Sequence, residues 1–432
     1  MKILVLSQYW HPENGVPQRR WTWLSKILVD AGHEVTVIAP PPHYQRKIEL
    51  RQWWATRKGR TIADVDEGPS GEKIIRSGFF PAGPSLTQRA VNQATVALGA
   101  IQTMLRKKGA LRDYRPDLII GTVPALPTAA ATRIVAAVLR RPYLIDLRDA
   151  WPDLLQQSDQ WNKGTGKTSL REKTLKRGPM QVVTFGTRRV LNDALKHAAG
   201  ISVTSSYLAD VLCEREILHT DGSSPEIVTI RNVFPPLSDR SVDLARKRHD
   251  GLNVLYAGTL GRAQNLSNAL EAAKIAQERG VTIKLRLVGA GVAREQLTSQ
   301  ARELGIDATV EPRQPAEEMA EFYDWADTAL VHLTDWEPLS RAVPSKTYEL
   351  MAQRMHISGV VSGEAAELIQ AHGAGDVVEP EDPQALAELW VELAGCPERL
   401  CIRGGGPQWV EYERESVAPG RFLGLVERAA DR

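Results

Sequence analysis

The chain opens with an apolar run at residues 2–7, a Pro/Gly/Asn-rich loop at 10–17 and an amphipathic stretch at 18–31. Gly32 stops that helix, and the apolar residues 34–39 follow as a second strand. A strand, helix, strand order at this spacing predicts a parallel sheet. Residues 117–120, 143–146 and 200–203 read as further strands of it. An Ala-rich helix near 128–139 separates the first two, and Thr204, Ser205 and Ser206 cap the helix after the third.

Pro235 and Pro236, with the polar run to Asp250, read as a linker, after which the pattern starts again. Strands are predicted at 252–257, 282–288 and 309–311, with helices at 266–280 and 294–304. With 432 residues, the chain is about three times a common domain size. The repeated pattern predicts an α/β protein of two Rossmann-like domains, 1–236 and 237–408. An amphipathic tail helix, 409–432, is expected to pack back on the first.

Composition narrows the class. Apolar residues are 43% and charged residues 25%, the balance of an ordinary globular protein. Cys213, Cys396 and Cys401 lack metal-ligand spacing, and their odd number argues against a disulfide framework, which suits a reducing cytoplasm. The apolar start is too short for a signal-peptide core or a span, and Pro127 and Arg133 interrupt the stretch 123–139, so no transmembrane helix is expected. A net charge of +2 hides an asymmetry of +12 in residues 1–240 against −10 in 241–432. Two readings fit it: surfaces that attract each other, or a basic N-terminal half that meets an anionic membrane or phosphorylated lipid. No nucleic-acid motif accompanies the charge, so nucleic acid is not an expected partner.

Candidate chemistry sits in strand-to-helix turns, where open parallel sheets receive ligands. Gly258-Thr259-Leu260-Gly261-Arg262 can bring backbone amides and a cation to a phosphate, or can serve only to pack helix on strand. Leu287 to Gly291, with Gly289 and Gly291, has the same two readings. In the stretch Arg341 to Ala352, Pro344 suits the first turn of a helix, which puts Ser345 and Lys346 at its N-terminal end and Glu349 one turn on. Such a helix binds a diphosphate through its amides, a hydroxyl and an ammonium, with Glu349 placed for ribose hydroxyls. The plainer reading is a capped helix with a Lys346–Glu349 pair. Trp53-Trp54 among Arg51, Arg57, Lys58 and Arg60 reads equally as a membrane-facing patch or as half-buried aromatics. Gly164 to Thr168 imitates a P-loop, but Trp161 stands at its first glycine. Asp64-Val65-Asp66 imitates a metal-binding Asp-x-Asp and reads better as a solvated loop.

These blocks, in this order, resemble glycosyltransferase family 4, the retaining GT-B enzymes, and within it the subgroup of bacterial polysaccharide and lipid-linked oligosaccharide assembly. The most specific are Tyr256 to Gly261, Leu287 to Gly291, Ala326-Asp327, Val343 to Ala352 and Gly363 to Ile369. The resemblance covers nearly the whole chain. It implies two domains facing across a cleft, with the donor in the C-terminal one. It implies a hexosyl or N-acetylhexosaminyl transferase that moves a sugar from a nucleoside diphosphate sugar to a hydroxyl, on a glycan or lipid-linked acceptor. Glu349 would hold the ribose, Ser345 and Lys346 the diphosphate, and backbone near Arg313 the base. Gly15 would let the N-terminal domain close on the phosphates. Asp149 would orient or deprotonate the acceptor, its plainer reading being a strand-end aspartate paired with Arg148, and Lys346 and Arg262 would stabilise the leaving diphosphate. No metal or other cofactor is expected, and the protein is expected in the cytoplasm, peripheral on the inner membrane face.

The chain departs from the family pattern at several positions. Arg341 stands at the first carboxylate of the Glu-x7-Glu motif, and Val16 replaces the second glycine of the Gly-Gly loop. Thr259 and Gln264 fall where relatives carry a phosphate-binding Arg and Lys, which leaves Arg262 as the substitute cation. Arg354-Met355-His356 replaces a Gly-x-Pro. Two alternatives follow: a nucleotide-sugar epimerase of the same fold, and a degenerate domain that binds sugar nucleotides without catalysis.

Overall fold

The computed structural model describes residues 1–43, 51, 53–54, 65–81, 86–106, 109–151, 153, 179–218, 224–236, 250–315 and 318–432. The chain divides into two units. The first comprises Met1–Pro152, Lys176–Phe234 and Ser416–Arg432, and the second Asp153–Leu175 and Pro235–Glu415.

The first unit holds an eight-stranded sheet of β1 (Lys2–Leu6), β2 (Glu34–Ala39), β3 (Val65–Glu67), β4 (Lys73–Arg76), β5 (Leu118–Val123), β6 (Tyr143–Leu147), β7 (Gly200–Val203) and β8 (Glu226–Thr229). Their order is β3-β4-β2-β1-β5-β6-β7-β8, parallel throughout except for β3 on β4. Central strands read as continuous apolar runs because helices cover both faces: all six residues of β5 and all five of β6 are buried. Asp66 of the Asp-x-Asp lies on edge strand β3 and is taken by Arg76 at 2.7 Å. Asp64, Gly164 to Thr168, Arg57, Lys58 and Arg60 lie outside the described residues.

The second unit holds β9 (Leu252–Thr259), β10 (Ile283–Ala290), β11 (Ala308–Glu311), β12 (Thr328–His332), β13 (Ile357–Val360) and β14 (Gly375–Val378). Their order is β11-β10-β9-β12-β13-β14, all parallel. This is the doubly wound order in which the direction of strand addition reverses between β9 and β12, so a crevice opens at their C-terminal ends. Around β9 and β10 the core gathers Val254, Leu270, Leu285, Leu287 and Trp390.

The tail differs from one expected helix over 409–432. A helix Gly406–Tyr412 stays with the second unit, a π-helical turn follows at Glu413–Val417, and helix Ala418–Ala430 belongs to the first unit. The extra residue of the π turn rotates the apolar stripe, so Phe422, Leu425 and Val426 become buried in a different core from Val410.

A buried ion pair organises the first unit. Arg20, on helix Val16–Asp30, donates to Asp146 of β6 at 2.8 Å, and both side chains are almost wholly shielded. Trp21 Nε1 and Ser202 Oγ also donate to Asp146, at 2.9 and 2.8 Å. The remaining Arg20 donors reach the Ile230 carbonyl and Asn232 Oδ1. Burial alone would push the Asp146 carboxyl up, yet the Arg20 guanidinium and these donors hold it below the ordinary carboxylate range. Asp146→Asn leaves a buried cation without its counter-ion and is expected to cost about 3–5 kcal/mol in urea unfolding. Because the folded-state value is lowered, the stabilisation is complete near neutrality and fades as pH falls through the acid range. The stability gap between wild type and variant is therefore expected to be level near neutrality and to narrow in acid.

Candidate active site

The predicted donor residues lie at the C-terminal ends of the second unit's strands and in the turns that follow. Gly258 and Thr259 end β9 and are exposed. Gly261 begins a 3-10 turn, Arg262–Gln264, that carries the Arg262 side chain. Arg313 follows β11 and is exposed. Ser345 and Lys346 are the first two residues of helix Ser345–Ala352, with Pro344 one position earlier than expected, at the N-cap. Proline has no N–H for the helix to leave unpaired and no side-chain oxygen to cap it, so the amides behind it keep no side-chain cap.

Lys346 and Glu349 form the pair that their spacing allows, Nζ to Oε1 at 3.0 Å. They do not form it alone. Tyr323, on helix Met319–Trp325, donates its hydroxyl to Glu349 at 3.0 Å and receives Lys346 at 2.9 Å. Burial opposes the Lys346 charge, but Tyr323 and Glu349 outweigh it and raise the ammonium above its ordinary value. Burial, with the Glu349 charge, likewise raises the Tyr323 hydroxyl against the pull of Lys346. The site thus carries a charged lysine, a neutral phenol and a carboxylate in mutual contact. Sequence reasoning missed Tyr323 because it lies on a different helix, 23 residues before Lys346.

The glycines divide by cause. A Cβ at Gly289 would run into the Gly258 carbonyl, and one at Gly291 into the Leu260 carbonyl, so both permit close backbone packing beside β9. Hydrogen bonds from Leu260 N to Ala290 O and from Ala293 N to Leu260 O, both 3.0 Å, lock that contact. At Gly261 a Cβ would meet the flexible end of Gln264 and the Thr259 methyl, and at Gly258 the ring of Tyr256. The end of β12 ties the Arg262 turn down: Thr334 N donates to Ala263 O at 2.9 Å, and His332 Nε2 receives Asn268 at 3.1 Å. Desolvation lowers His332 to about 3, so it is a neutral buried ring.

Arg341 ends a 3-10 turn, Glu337–Arg341, and donates to Asp153 at 2.6 Å and to Glu337. The place of the missing carboxylate therefore holds a cation with two acidic partners.

In the first unit, Gly15 is the N-cap of helix Val16–Asp30, in extended conformation and without a capping side chain. Asp149 is exposed in the loop after β6. Desolvation by the surrounding chain raises its carboxyl while the Arg148 guanidinium opposes this. The Trp151 indole also lies near enough to lower it, without reaching hydrogen-bonding geometry.

Residues 15–217 match the glycosyl transferase 4-like domain, and residues 243–399 match the glycosyl transferases group 1 family. WcaI of Escherichia coli K12, which bears the name of a colanic acid biosynthesis glycosyl transferase, is 26% identical over 402 residues, 89% of this chain and 90% of its own. Sucrose-phosphate synthase from Thermosynechococcus elongatus superposes with a TM-score of 0.65 at 16% identity, over 99% of this chain and 98% of its own. HepE of Anabaena, solved with UDP, gives 0.55 at 15% identity, over 100% and 99%. Both solved structures share the fold.

Gly289→Ala is expected to lower stability by about 1–3 kcal/mol in thermal unfolding, since the added methyl must displace backbone rather than a flexible side chain.

Proposed function

The chain is a family 4-type glycosyltransferase of GT-B fold, and from that premise we propose that it moves a sugar, with retention, from a nucleoside diphosphate sugar to a hydroxyl of a cell-envelope glycan or lipid-linked acceptor. The observation that carries this reading is the cluster of Lys346, Tyr323 and Glu349 at the uncapped start of helix Ser345–Ala352. In the ligand-free chain the lysine and carboxylate satisfy each other. A donor would divide them, its ribose hydroxyls taking Glu349 and its diphosphate taking Lys346, the helix amides and Arg262. Charge developing on the leaving diphosphate then meets donors already in place, which is electrostatic catalysis without a protein nucleophile. Asp149, with its raised carboxyl, would receive the acceptor proton. HepE was solved with UDP and WcaI is named for polysaccharide assembly, which supports a nucleotide-sugar donor and a glycan product.

A surface of the first unit supports contact with a membrane. Helices Leu86–Arg106, Leu126–Leu139 and Pro179–Lys196 pack side by side. Val91, Leu98, Leu105, Ile134, Val138 and Val190 project from them into solvent, with Leu98 and Val138 each 57% exposed. The same helices carry Arg89, Arg106, Arg133, Arg188, Arg189 and Lys196 against one acidic residue, Asp193. Apolar groups set among cations suit an anionic lipid surface. No helix among the described residues is long and apolar enough to cross a membrane.

Among UDP-, GDP-, ADP- and dTDP-sugars, those of one base are expected to raise the melting temperature, with about 2.7 kcal/mol of stabilisation at a hundredfold excess over Kd. Glu349→Ala is expected to lose the shift; no response to any donor would favour a domain without catalysis. Vesicles of equal parts phosphatidylglycerol and phosphatidylcholine are expected to float the wild type and to release Leu98→Glu/Val138→Glu, and indifference of the wild type to anionic lipid would remove the membrane contact.

A further inference from the structure

The loop after β6 holds shielded donors that lack acceptors. Arg148 Nε and Nη1 are shielded from solvent and meet no acceptor among the described residues, and neither does the indole N–H of Trp151 three residues on. Folded chains pair nearly all buried donors, and leaving a cation unpaired costs more than leaving a neutral group so. The nearby acceptors do not relieve it. Asp146 already receives Arg20, Trp21 and Ser202, and Asp149, the adjacent carboxylate, is exposed. Burial pushes the Arg148 guanidinium below its ordinary value in spite of the pull of both aspartates. Its backbone is fixed, since Thr204 Oγ1 donates to the Arg148 carbonyl at 3.2 Å. The side chain is therefore held at the C-terminal end of a central parallel strand, where sheets of this kind receive ligands.

We propose that Arg148, assisted by the Trp151 indole N–H, is a subsite for a phosphoryl group. An oxyanion supplies the missing acceptors, and a guanidinium fork binds phosphate oxygens in pairs. Three unpaired donors match the several oxygens of a phosphoryl group better than the two of a carboxylate. Two sources of that group exist, the diphosphate of a donor and the phosphate of a phosphorylated acceptor. This choice of sources rests on the transferase reading, whereas the subsite itself does not.

The test is thermal unfolding of the wild type, Arg148→Met and Arg148→Lys, titrated with inorganic phosphate. Phosphate is expected to stabilise the wild type, with Arg148→Met binding it about tenfold or more weakly and Arg148→Lys in between. Without phosphate, Arg148→Met is expected to melt no lower than the wild type, because shielded donors without acceptors have been removed. The proposal falls if phosphate stabilises wild type and Arg148→Met equally, or stabilises neither. Two further probes assign the source. A weakened response of Arg148→Met to UDP or GDP points to the donor, and an intact one with a weakened response to an isoprenyl monophosphate points to the acceptor. Failure of the wild type to bind any nucleotide would count against sugar transfer and leave the inorganic phosphate result standing.

Discussion

The first unit depends on one shielded contact, the ion pair between Arg20 and Asp146. Two charges taken out of water are stable only when nearly every remaining donor and acceptor is also engaged. Here the carboxylate takes donors from helix Val16–Asp30 and β7, and the guanidinium reaches the segment 230–232. Trp21 extends the arrangement by setting its ring against Phe422 of the last helix. The pair thereby ties the helix that starts behind Gly15 to the strand that leads into the loop after β6. It also isolates Arg148, because the one buried carboxylate within its field is already occupied.

The cluster of Lys346, Tyr323 and Glu349 in the second unit balances charge differently, each of the three groups being hydrogen-bonded to the other two. On the proposed reading, a nucleotide bound there would exchange one set of charge-assisted hydrogen bonds for another. Affinity should then reflect the difference between the two sets rather than the sum of new contacts.

Much of this was legible in the chain itself. Strand periodicity located β1, β2, β9 and β10, and helix Arg294–Leu304 ends where Gly305 adopts a left-handed conformation. Strands β12 to β14 are not legible in the same way, since short buried runs carry no period of their own. The Lys346–Glu349 contact follows from spacing along a helix, whereas Tyr323 and Asp146 act through partners that only tertiary structure supplies. Gly289 and Gly291 show the limit of motif reading. They belong to a ligand-binding pattern by sequence, yet backbone crowding against β9 already requires them.

The split tail has a consequence for synthesis. The second unit lies inside the sequence of the first, whose third piece, Ser416–Arg432, is translated only after the second unit. Until then the sheet face that receives Phe422, Leu425 and Val426 has no cover, and Trp21 lacks its partner ring. The core of the first unit therefore cannot close until the second unit has been made, even though the greater part of the first unit is made first.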